Sequence, residues 1–368
     1  MNKLRVNKSL AAIPMAALLL SACTFNLRPQ AGDEPADGEQ EKVTTAVAGQ
    51  LFYPERIALP AEAVLQVHIN EITPQGATVI ADYRQALDGG QVPFPLGLSF
   101  ERVLGDSVVH ELRARVDAPE GPLRDSGPVL LDPQSTRIDL GRVRLFAFDE
   151  GLVAGNGPTV ELPIEARGNE PGWRLRLSDN RAELDYDYGE SRLEAPLIDR
   201  ERLAQGERIR AAGDDGVMTA TFHKTLCSDS ATGMPHPWRV TAQVPGKRLT
   251  GCGGVPESLL VGDWVIEQVG ELRPDENTLM TLAFDGEGRV GGSGACNSWF
   301  ADYKLTPERL NIERPGATLM ACADELMALD QRLFKLLANT RRFELDHDGR
   351  LLLISGDERI RARPADAD

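Results

Sequence analysis

The sequence predicts a mainly β protein made of three small domains that resemble β-sandwiches or barrels. Short segments in which apolar and polar residues alternate recur between residues 49 and 254, and turns rich in Gly, Pro and Asp separate them. Alternation at every second residue is typical of half-buried strands. A leucine pattern with helical spacing occurs near the C-terminus. We therefore expect the last domain to carry one helix packed on its sheet.

The composition favours an acidic, globular protein. The chain has 368 residues, is 42% hydrophobic and carries a formal net charge of -16. This length is enough for two or three domains. An acidic chain repels nucleic acid and anionic lipid headgroups, so no nucleic-acid partner is expected. Nothing in the sequence identifies a cofactor or a small-molecule ligand.

The N-terminus has the pattern of a secretory signal. Three basic residues precede an apolar run over residues 10–20, and Leu20-Ser21-Ala22-Cys23 follows. The run is shorter than the roughly 20 residues that a membrane-spanning helix needs. A chance cysteine after an ordinary signal peptide is the alternative interpretation.

This motif resembles the lipobox of bacterial lipoproteins, in which the cysteine is acylated, for instance with palmitate. The resemblance implies a signal peptide over residues 1–22 and lipid attachment at Cys23. Thr24 stands where an inner-membrane lipoprotein tends to have Asp. The implied location is the outer membrane, facing the periplasm. Residues 23–48 are polar and acidic, which predicts a disordered tether.

Four cysteines remain besides Cys23. In an exported protein an even number predicts disulfides, and four cysteines allow three connectivities. We favour the local pairs Cys227–Cys252 and Cys296–Cys322, because each pair lies within one predicted domain. No C-x-x-C spacing occurs, so a metal site is not expected.

The first domain is predicted over residues 49–149 as a series of strands without a helical period. Residues 53–60, 64–69, 92–96 and 112–116 resemble the YbaY/YscW lipoprotein family. Some members of that family are pilotins, which are lipoproteins that carry or stabilise an outer-membrane secretin. His68 and His110 lie within predicted strands, where surface or strand-ladder positions are expected rather than a catalytic pair.

The second domain is predicted over residues 158–254 and is also mainly β. Residues 168–173 and the Cys-Ser-Asp start of the loop 227–237 resemble an uncharacterised envelope-domain family, which implies a Cys227–Cys252 bridge. The loop contains Ser228, Asp229 and His236, the residue types of a catalytic triad. No nucleophile elbow orders them, so we predict a turn held by the disulfide.

The third domain is predicted over residues 257–364. Residues 260–264, 280–290 and 292–300 resemble a META domain of the HslJ family of heat-shock and envelope lipoproteins. Ala295 stands where a second glycine commonly precedes the cysteine of this motif. Asn297 and Trp299, beside Cys296, are the candidate functional residues; turn formation and core packing are the alternative roles.

A helix is predicted after Asp324, which is a plausible N-cap. Its apolar positions would be Leu326, Leu329, Leu333, Leu336 and Leu337, with Glu325, Asp330, Gln331 and Arg332 on other faces. The acidic stretches at residues 285–288 and 346–349 could suggest calcium sites. Both lie between alternating segments, so hairpin turns are the better interpretation.

The sequence thus predicts a non-catalytic outer-membrane lipoprotein that works in the periplasm, in envelope maintenance or stress tolerance. Its expected partners are the membrane, through the lipid anchor, and an envelope protein. Two alternatives are a pilotin-like chaperone for an outer-membrane secretion protein and an inhibitor of a cell-wall-lytic enzyme. A hydrolase that uses Ser228 and His236 is a weaker possibility.

Overall fold

Three β modules follow one another in the computed structural model, which describes residues 42–103 and 108–365. The prediction of a mainly β fold with one helix in the last part is confirmed. The predicted signal peptide, the lipobox cysteine Cys23 and the first part of the predicted tether lie outside the described residues. No helix in the described residues is long and apolar enough to cross a membrane.

The N-terminal module, which we call the sandwich, consists of two facing sheets. One has the order β4-β1-β8 and the other β3-β2-β5-β6-β9, with β7 also paired to β5. Leu51, Leu65 and Leu112 are fully buried in its core. Its strands are β1 (Lys42–Phe52), β2 (Val64–Thr73), β3 (Gly76–Ala86), β4 (Phe94–Val103), β5 (Val109–Ala118), β6 (Gly121–Asp125), β7 (Val129–Leu130), β8 (Arg137–Arg144) and β9 (Phe146–Ala147).

Strand β1 corrects the predicted tether. It begins at Lys42 and lies at the centre of its sheet, so residues 42–48 are strand rather than tether. Thr45 and Val47 are buried while their neighbours Thr44 and Ala46 are exposed. The alternation is present in the sequence, but a threonine occupies one of its inward positions, which weakened the apolar signal.

The central module is a closed eight-stranded barrel, which we call the barrel. The short helical turn Glu150–Leu152 precedes it and Asp187–Gly189 interrupts it. Closure pairs every strand on both sides, so the barrel exposes no long sheet edge. Phe222 and Trp238 meet edge-to-face in its core, with ring centroids 6.3 Å apart. Its strands are β10 (Ile164–Asn169), β11 (Gly172–Leu177), β12 (Arg181–Tyr186), β13 (Ser191–Leu203), β14 (Gly206–Gly213) and β15 (Gly216–His223), the separate pair β16 (Cys227–Ser228) and β17 (Pro235–His236), then β18 (Trp238–Val244) and β19 (Lys247–Gly253).

The C-terminal module is an antiparallel sheet with one helix against it. The helical turn Pro256–Leu259 leads into it. The strand order is β24-β23-β22-β21-β20-β28-β27-β26, and β25 pairs with β23. Its elements are β20 (Gly262–Val269), β21 (Thr281–Phe284), β22 (Arg289–Ser293), β23 (Ser298–Leu305), β24 (Leu310–Ile312), β25 (Gly316–Ala317), α1 (Asp324–Asn339), β26 (Arg342–Leu345), β27 (Leu351–Ser355) and β28 (Glu358–Pro364).

Helix α1 confirms the leucine pattern and corrects two details. Leu329, Leu333, Leu336 and Leu337 are buried in the module core. Asp324 is the first helical residue rather than the N-cap, because the preceding Ala323 occupies the cap position without a side-chain bond. Asp330, predicted on a face other than that of the leucines, is buried in the described structure. Asp330 is buried because it contacts the loop at residues 295–297.

Candidate functional site

Two disulfides connect the four cysteines of the barrel and the C-terminal module. Cys227 is bonded to Cys252 with a Cα–Cα distance of 5.5 Å, and Cys296 to Cys322 with 6.1 Å. These are the two local pairs that the sequence favours. Each therefore closes a loop inside one module and none joins two modules.

The loop 227–237 is organised by Asp229 as a structural turn. Its Oδ1 accepts the backbone N–H groups of Ala231 and Thr232, both at 2.9 Å, and the Thr232 hydroxyl. Burial acts to raise the pKa of Asp229, but these hydrogen bonds outweigh it and lower that pKa. The Asp229 carboxylate therefore serves as the hydrogen-bond acceptor that stabilises this turn.

The residue types of a triad in this loop do not form one. The Ser228 hydroxyl donates to the Gly233 carbonyl at 3.2 Å, whereas His236 Nδ1 bonds the Gly254 carbonyl at 2.9 Å. Burial lowers the pKa of His236, which favours the neutral ring. In the part of the chain that the structure describes, no hydrogen bond connects Ser228 with His236. The arrangement therefore provides no base for a serine nucleophile.

The Gly-Ala-Cys-Asn segment of the C-terminal module is held by Asp330 of α1. Asp330 Oδ1 accepts the backbone N–H of Ala295 at 2.6 Å, and Oδ2 accepts the N–H of Asn297 at 2.8 Å. Asn297 Nδ2 also donates to Oδ2 at 3.1 Å. A Cβ at Gly294 would lie 2.2 Å from Asp330 Oδ1, so the close approach requires glycine there. This contact explains why glycine stands at position 294 and why Asp330 is buried.

The two candidate residues of this segment have structural surroundings. Asn297 Oδ1 accepts the Thr318 hydroxyl at 2.9 Å and the Met320 N–H at 2.8 Å, which fixes the strand-like segment opposite. Trp299 is 3% exposed and lies in the core against the Phe334 ring, 6.4 Å between centroids. Turn formation and core packing, the alternative roles, describe these contacts; a functional role for Asn297 and Trp299 stays a prediction.

The acidic turn at residues 346–349 has its acceptors engaged. One ligand atom each of Asp346, His347 and Asp348 lies within 4.8 Å of the others. However, Asp346 Oδ1 accepts the backbone N–H groups of Asp348 and Arg350, and its Oδ2 accepts from Arg361 at 2.8 Å. These contacts are those of a hairpin turn between β26 and β27.

A cleft between the sandwich and the barrel was not anticipated from the sequence. We call it the interdomain cleft. Its outer part has a volume of about 700 Å³ and is lined by all of β8 and by the barrel residues 243–248. Its inner part, of about 170 Å³, is lined by β14, β15 and β18 of the barrel and by the start of the sandwich-to-barrel connection. Phe146 and Arg248 line both parts, so the two parts adjoin.

The modules on either side of this cleft are joined by a buried ion pair. Glu111 of β5 accepts two hydrogen bonds from Arg210 of β14, at 2.9 Å each, and one from the Thr219 hydroxyl at 2.7 Å. Glu111 is 2% exposed and Arg210 is 4% exposed. Burial opposes the charge on Arg210, but Glu111 and the other carboxylates around it raise its pKa further. A buried ion pair therefore stabilises the interface between the sandwich and the barrel, in addition to apolar contacts.

Glu201 of β13 extends this network within the barrel. It accepts from Arg208 at 2.8 Å and from Arg210 at 3.0 Å. Burial acts to raise the pKa of Glu201, but the two guanidinium groups outweigh it and lower that pKa. Glu201 is thus held as a carboxylate at neutral pH.

Models of two known protein families match the N-terminal and C-terminal modules. Residues 42–130 match the model of the type III secretion system lipoprotein chaperone (YscW), and residues 257–366 match the META domain. No curated protein sequence matches the chain.

Solved structures similar to this chain cover less than a third of it. An alternative pilotin from the type II secretion system of Vibrio cholerae is 25% identical, with a TM-score of 0.25, and the match covers 29% of this chain and 99% of that one. A protein from Burkholderia xenovorans, solved by NMR, is 20% identical with a TM-score of 0.25, over 29% of this chain and 83% of that one. Two segments of this chain are similar to known families by their family-model matches: residues 42–130 to the YscW lipoprotein chaperones, and residues 257–366 to the META domains.

Proposed function

We propose that this protein is a non-catalytic envelope lipoprotein that binds and holds an outer-membrane secretion protein, as a pilotin-like chaperone does. The observation that carries the proposal is the match of residues 42–130 to a family described as lipoprotein chaperones. This match favours the pilotin-like alternative over envelope maintenance or stress tolerance, which stay predictions from the sequence.

The sandwich supports this proposal through its unpaired sheet edges. Strands β3 and β8 each pair with one neighbouring strand among the described residues, β2 and β1 respectively. On β3, Val79 is 57% exposed and Tyr83 is 41% exposed. Unpaired edges and exposed apolar side chains are features through which sheets bind extended partners. The matched module therefore offers surface for a protein partner.

The proposal that the protein is not an enzyme rests on the surroundings of the polar candidates. Asp229 is used by its own turn, His236 bonds a backbone carbonyl, and Asp330 holds a loop. Buried polar groups that are engaged with backbone in this way stabilise the fold. The matched families add no catalytic residues to this set.

The anchor is the remaining part of the proposal. We propose that Cys23 carries the lipid and that Thr24 permits transfer to the outer membrane, with the described modules facing the periplasm. Several acyl chains would hold the protein firmly, whereas one chain alone binds a membrane weakly. Cell fractionation of the full chain and of Cys23→Ser tests this: the variant should leave the membrane fraction.

The chaperone role is tested by isolating the full chain from crosslinked envelopes in mild detergent. We expect a secretin or another outer-membrane assembly protein to be enriched over an unrelated lipoprotein carrying the same tag. The Cys23→Ser variant should reduce the amount of that protein in the outer membrane. If no outer-membrane protein is enriched, and deletion of the gene leaves outer-membrane assembly unchanged, the proposed function is wrong.

A further inference from the structure

We infer that the interdomain cleft binds an extended polypeptide segment with acidic side chains, which lies along the free edge of β8. The inference rests on the proposed function, because it specifies the chemistry of the partner segment. Three observations carry it: the path of the cleft along a strand edge, the excess of cations that line it, and the buried Arg208 at its inner end, whose Nε has no hydrogen-bond partner in the described structure.

The cleft follows the edge of β8. All eight residues Arg137–Arg144 line its outer part, including Ile138 and Val143, whose side chains are buried in the core, and Arg137 and Arg142, whose side chains point outward. Successive side chains of a strand point to opposite faces, so a cavity that touches all of them must run along the edge. The opposite wall is the turn of the barrel between β18 and β19.

In its first half the edge directs backbone N–H and C=O groups away from β1, and one of these, the Arg137 carbonyl, accepts the Ser135 hydroxyl at 2.7 Å. The Thr136 carbonyl accepts the Ala46 N–H at 2.9 Å, so Thr136 faces β1. Alternate residues of a strand direct their N–H and C=O to opposite sides, which points those of Arg137 and Asp139 away from β1. The β1–β8 register shifts near Gly141, whose φ is +58°. We therefore expect strand pairing at residues 137–139 and side-chain contacts beyond the shift.

The lining is cationic although the whole chain is acidic, with a net charge of -16. Eight basic residues line the two parts of the cleft against four acidic ones. Four of these arginines have no carboxylate within 4 Å among the described residues, and two of the four, Arg142 and Arg248, lie over the Phe52 and Phe146 rings. These four are Arg137, Arg142, Arg239 and Arg248. Unpaired cations in a confined groove attract an anionic partner.

The inner part of the cleft is suited to one acidic side chain. Arg208 is 4% exposed and lines this part, and its buried Nε has no hydrogen-bond partner in the described structure. A volume of about 170 Å³ equals that of about five or six water molecules. A Glu or Asp side chain fits such a space and would place a carboxylate beside the cations that line it, Arg113, Arg239 and Arg248 among them. The free strand edge is what favours a polypeptide over a small anion.

The binding test uses the purified full chain in detergent and a fluorescein-labelled octapeptide in which Glu and Val alternate. We expect saturable binding by fluorescence anisotropy, which weakens as salt is raised from 50 to 500 mM. A Lys-Val octapeptide of the same length serves as the matched probe and should not bind. Inorganic phosphate at 10 mM should displace little of the Glu-Val peptide.

Variants separate the charge from the strand edge. Arg142→Gln and Arg248→Gln should each weaken binding about fivefold, whereas Arg309→Gln, on the C-terminal module and outside the cleft, should leave it unchanged. Arg137→Gln removes one charge, and Arg137→Pro removes that charge together with one backbone N–H at the start of the strand. We expect Arg137→Pro to weaken binding about fivefold more than Arg137→Gln.

Each alternative occupant of the cleft predicts a different result in these experiments. Equal binding of the Glu-Val and Lys-Val peptides, or equal effects of the Gln and Pro variants, would overturn the inference. Full displacement by phosphate would indicate a small-anion site, and a dimer that Arg142→Gln dissociates would indicate a second copy of this chain. The peptide test does not depend on the envelope experiment. An enriched secretin with no peptide binding rejects only the cleft, and peptide binding without an enriched outer-membrane protein rejects only the chaperone role.

Discussion

At the scale of single residues, Asp330 organises the Gly-Ala-Cys-Asn segment of the C-terminal module. It is 2% exposed, and it accepts hydrogen bonds from the backbone of Ala295 and Asn297 and from the Asn297 side chain. A buried carboxylate needs such donors, because an unpaired buried charge is strongly unfavourable. One acid on the helix thus holds the loop that carries Cys296, and it does so 33 residues away from Asn297 in the chain.

Replacing Asp330 by Ala should destabilise the C-terminal module by about 3 kcal/mol, because it leaves the part-buried N–H groups of Ala295 and Asn297 without their acceptor. Hydrogen exchange measured by mass spectrometry, across a urea series, should show faster exchange in peptides that cover residues 294–297. Asp302→Ala, at an exposed position of β23 in the same module, is the control. Unchanged protection of residues 294–297 in Asp330→Ala would refute this account.

At the scale of elements, the sequence reveals strands and the helix where the pattern is local. The leucines of α1 and the alternation of β2 and β15 are visible in the letters and were predicted. Elements that depend on distant neighbours were harder to recognise. Strand β1 is central in its sheet, yet its sequence predicts a tether because a buried threonine interrupts its apolar positions.

The candidate site residues also differ in whether the sequence alone could predict their surroundings. The disulfide pairs could be favoured from their spacing within predicted domains. The buried position of His110 could not, because it depends on the packing of Phe100 and Glu71 around the ring. Nor could the cleft along β8, since its walls come from two modules. The one signal in the sequence was the recurrence of arginine at positions 137, 142 and 144 of an acidic chain.

The loop closed by Cys296 and Cys322 is an element whose stability can be measured. The bridge spans a sequence separation of 26, and its removal should cost about 3–4 kcal/mol through the entropy of the unfolded chain. We predict this loss for the double variant Cys296→Ala/Cys322→Ala, in the unfolding transition reported by hydrogen exchange of residues 281–362. Cys227→Ala/Cys252→Ala should leave that transition in place and destabilise the barrel instead. A shift of both transitions by either variant would contradict the prediction.

At the scale of the whole molecule, the sandwich and the barrel share a buried interface. Besides the Glu111–Arg210 pair, Ile72 and Val109 of the sandwich form one apolar cluster with Val217 of the barrel. A division of the chain into three independent domains stays a prediction, and this interface predicts in addition that the first two unfold together. Because the pair is buried, removing one partner leaves an uncompensated charge, which costs more than the pair itself contributes.

The same interface should respond to acid through Glu201. Arg208 and Arg210 lower its pKa in the folded chain despite the opposing effect of burial. A carboxyl whose folded pKa is depressed stabilises the fold above its unfolded pKa, which is about 4.3. That contribution is lost as the pH falls through the folded pKa. Glu201→Gln should therefore lower the free energy of unfolding by about 2 kcal/mol at pH 6, and the difference from the wild type should shrink as the pH falls below the unfolded pKa of about 4.3. Urea titrations at pH 6, 4.5 and 3.5 measure this, with Glu120→Gln, in an exposed turn, as the control. A difference that stays constant from pH 6 to 3.5 would mean that the Glu201 charge does not stabilise the interface.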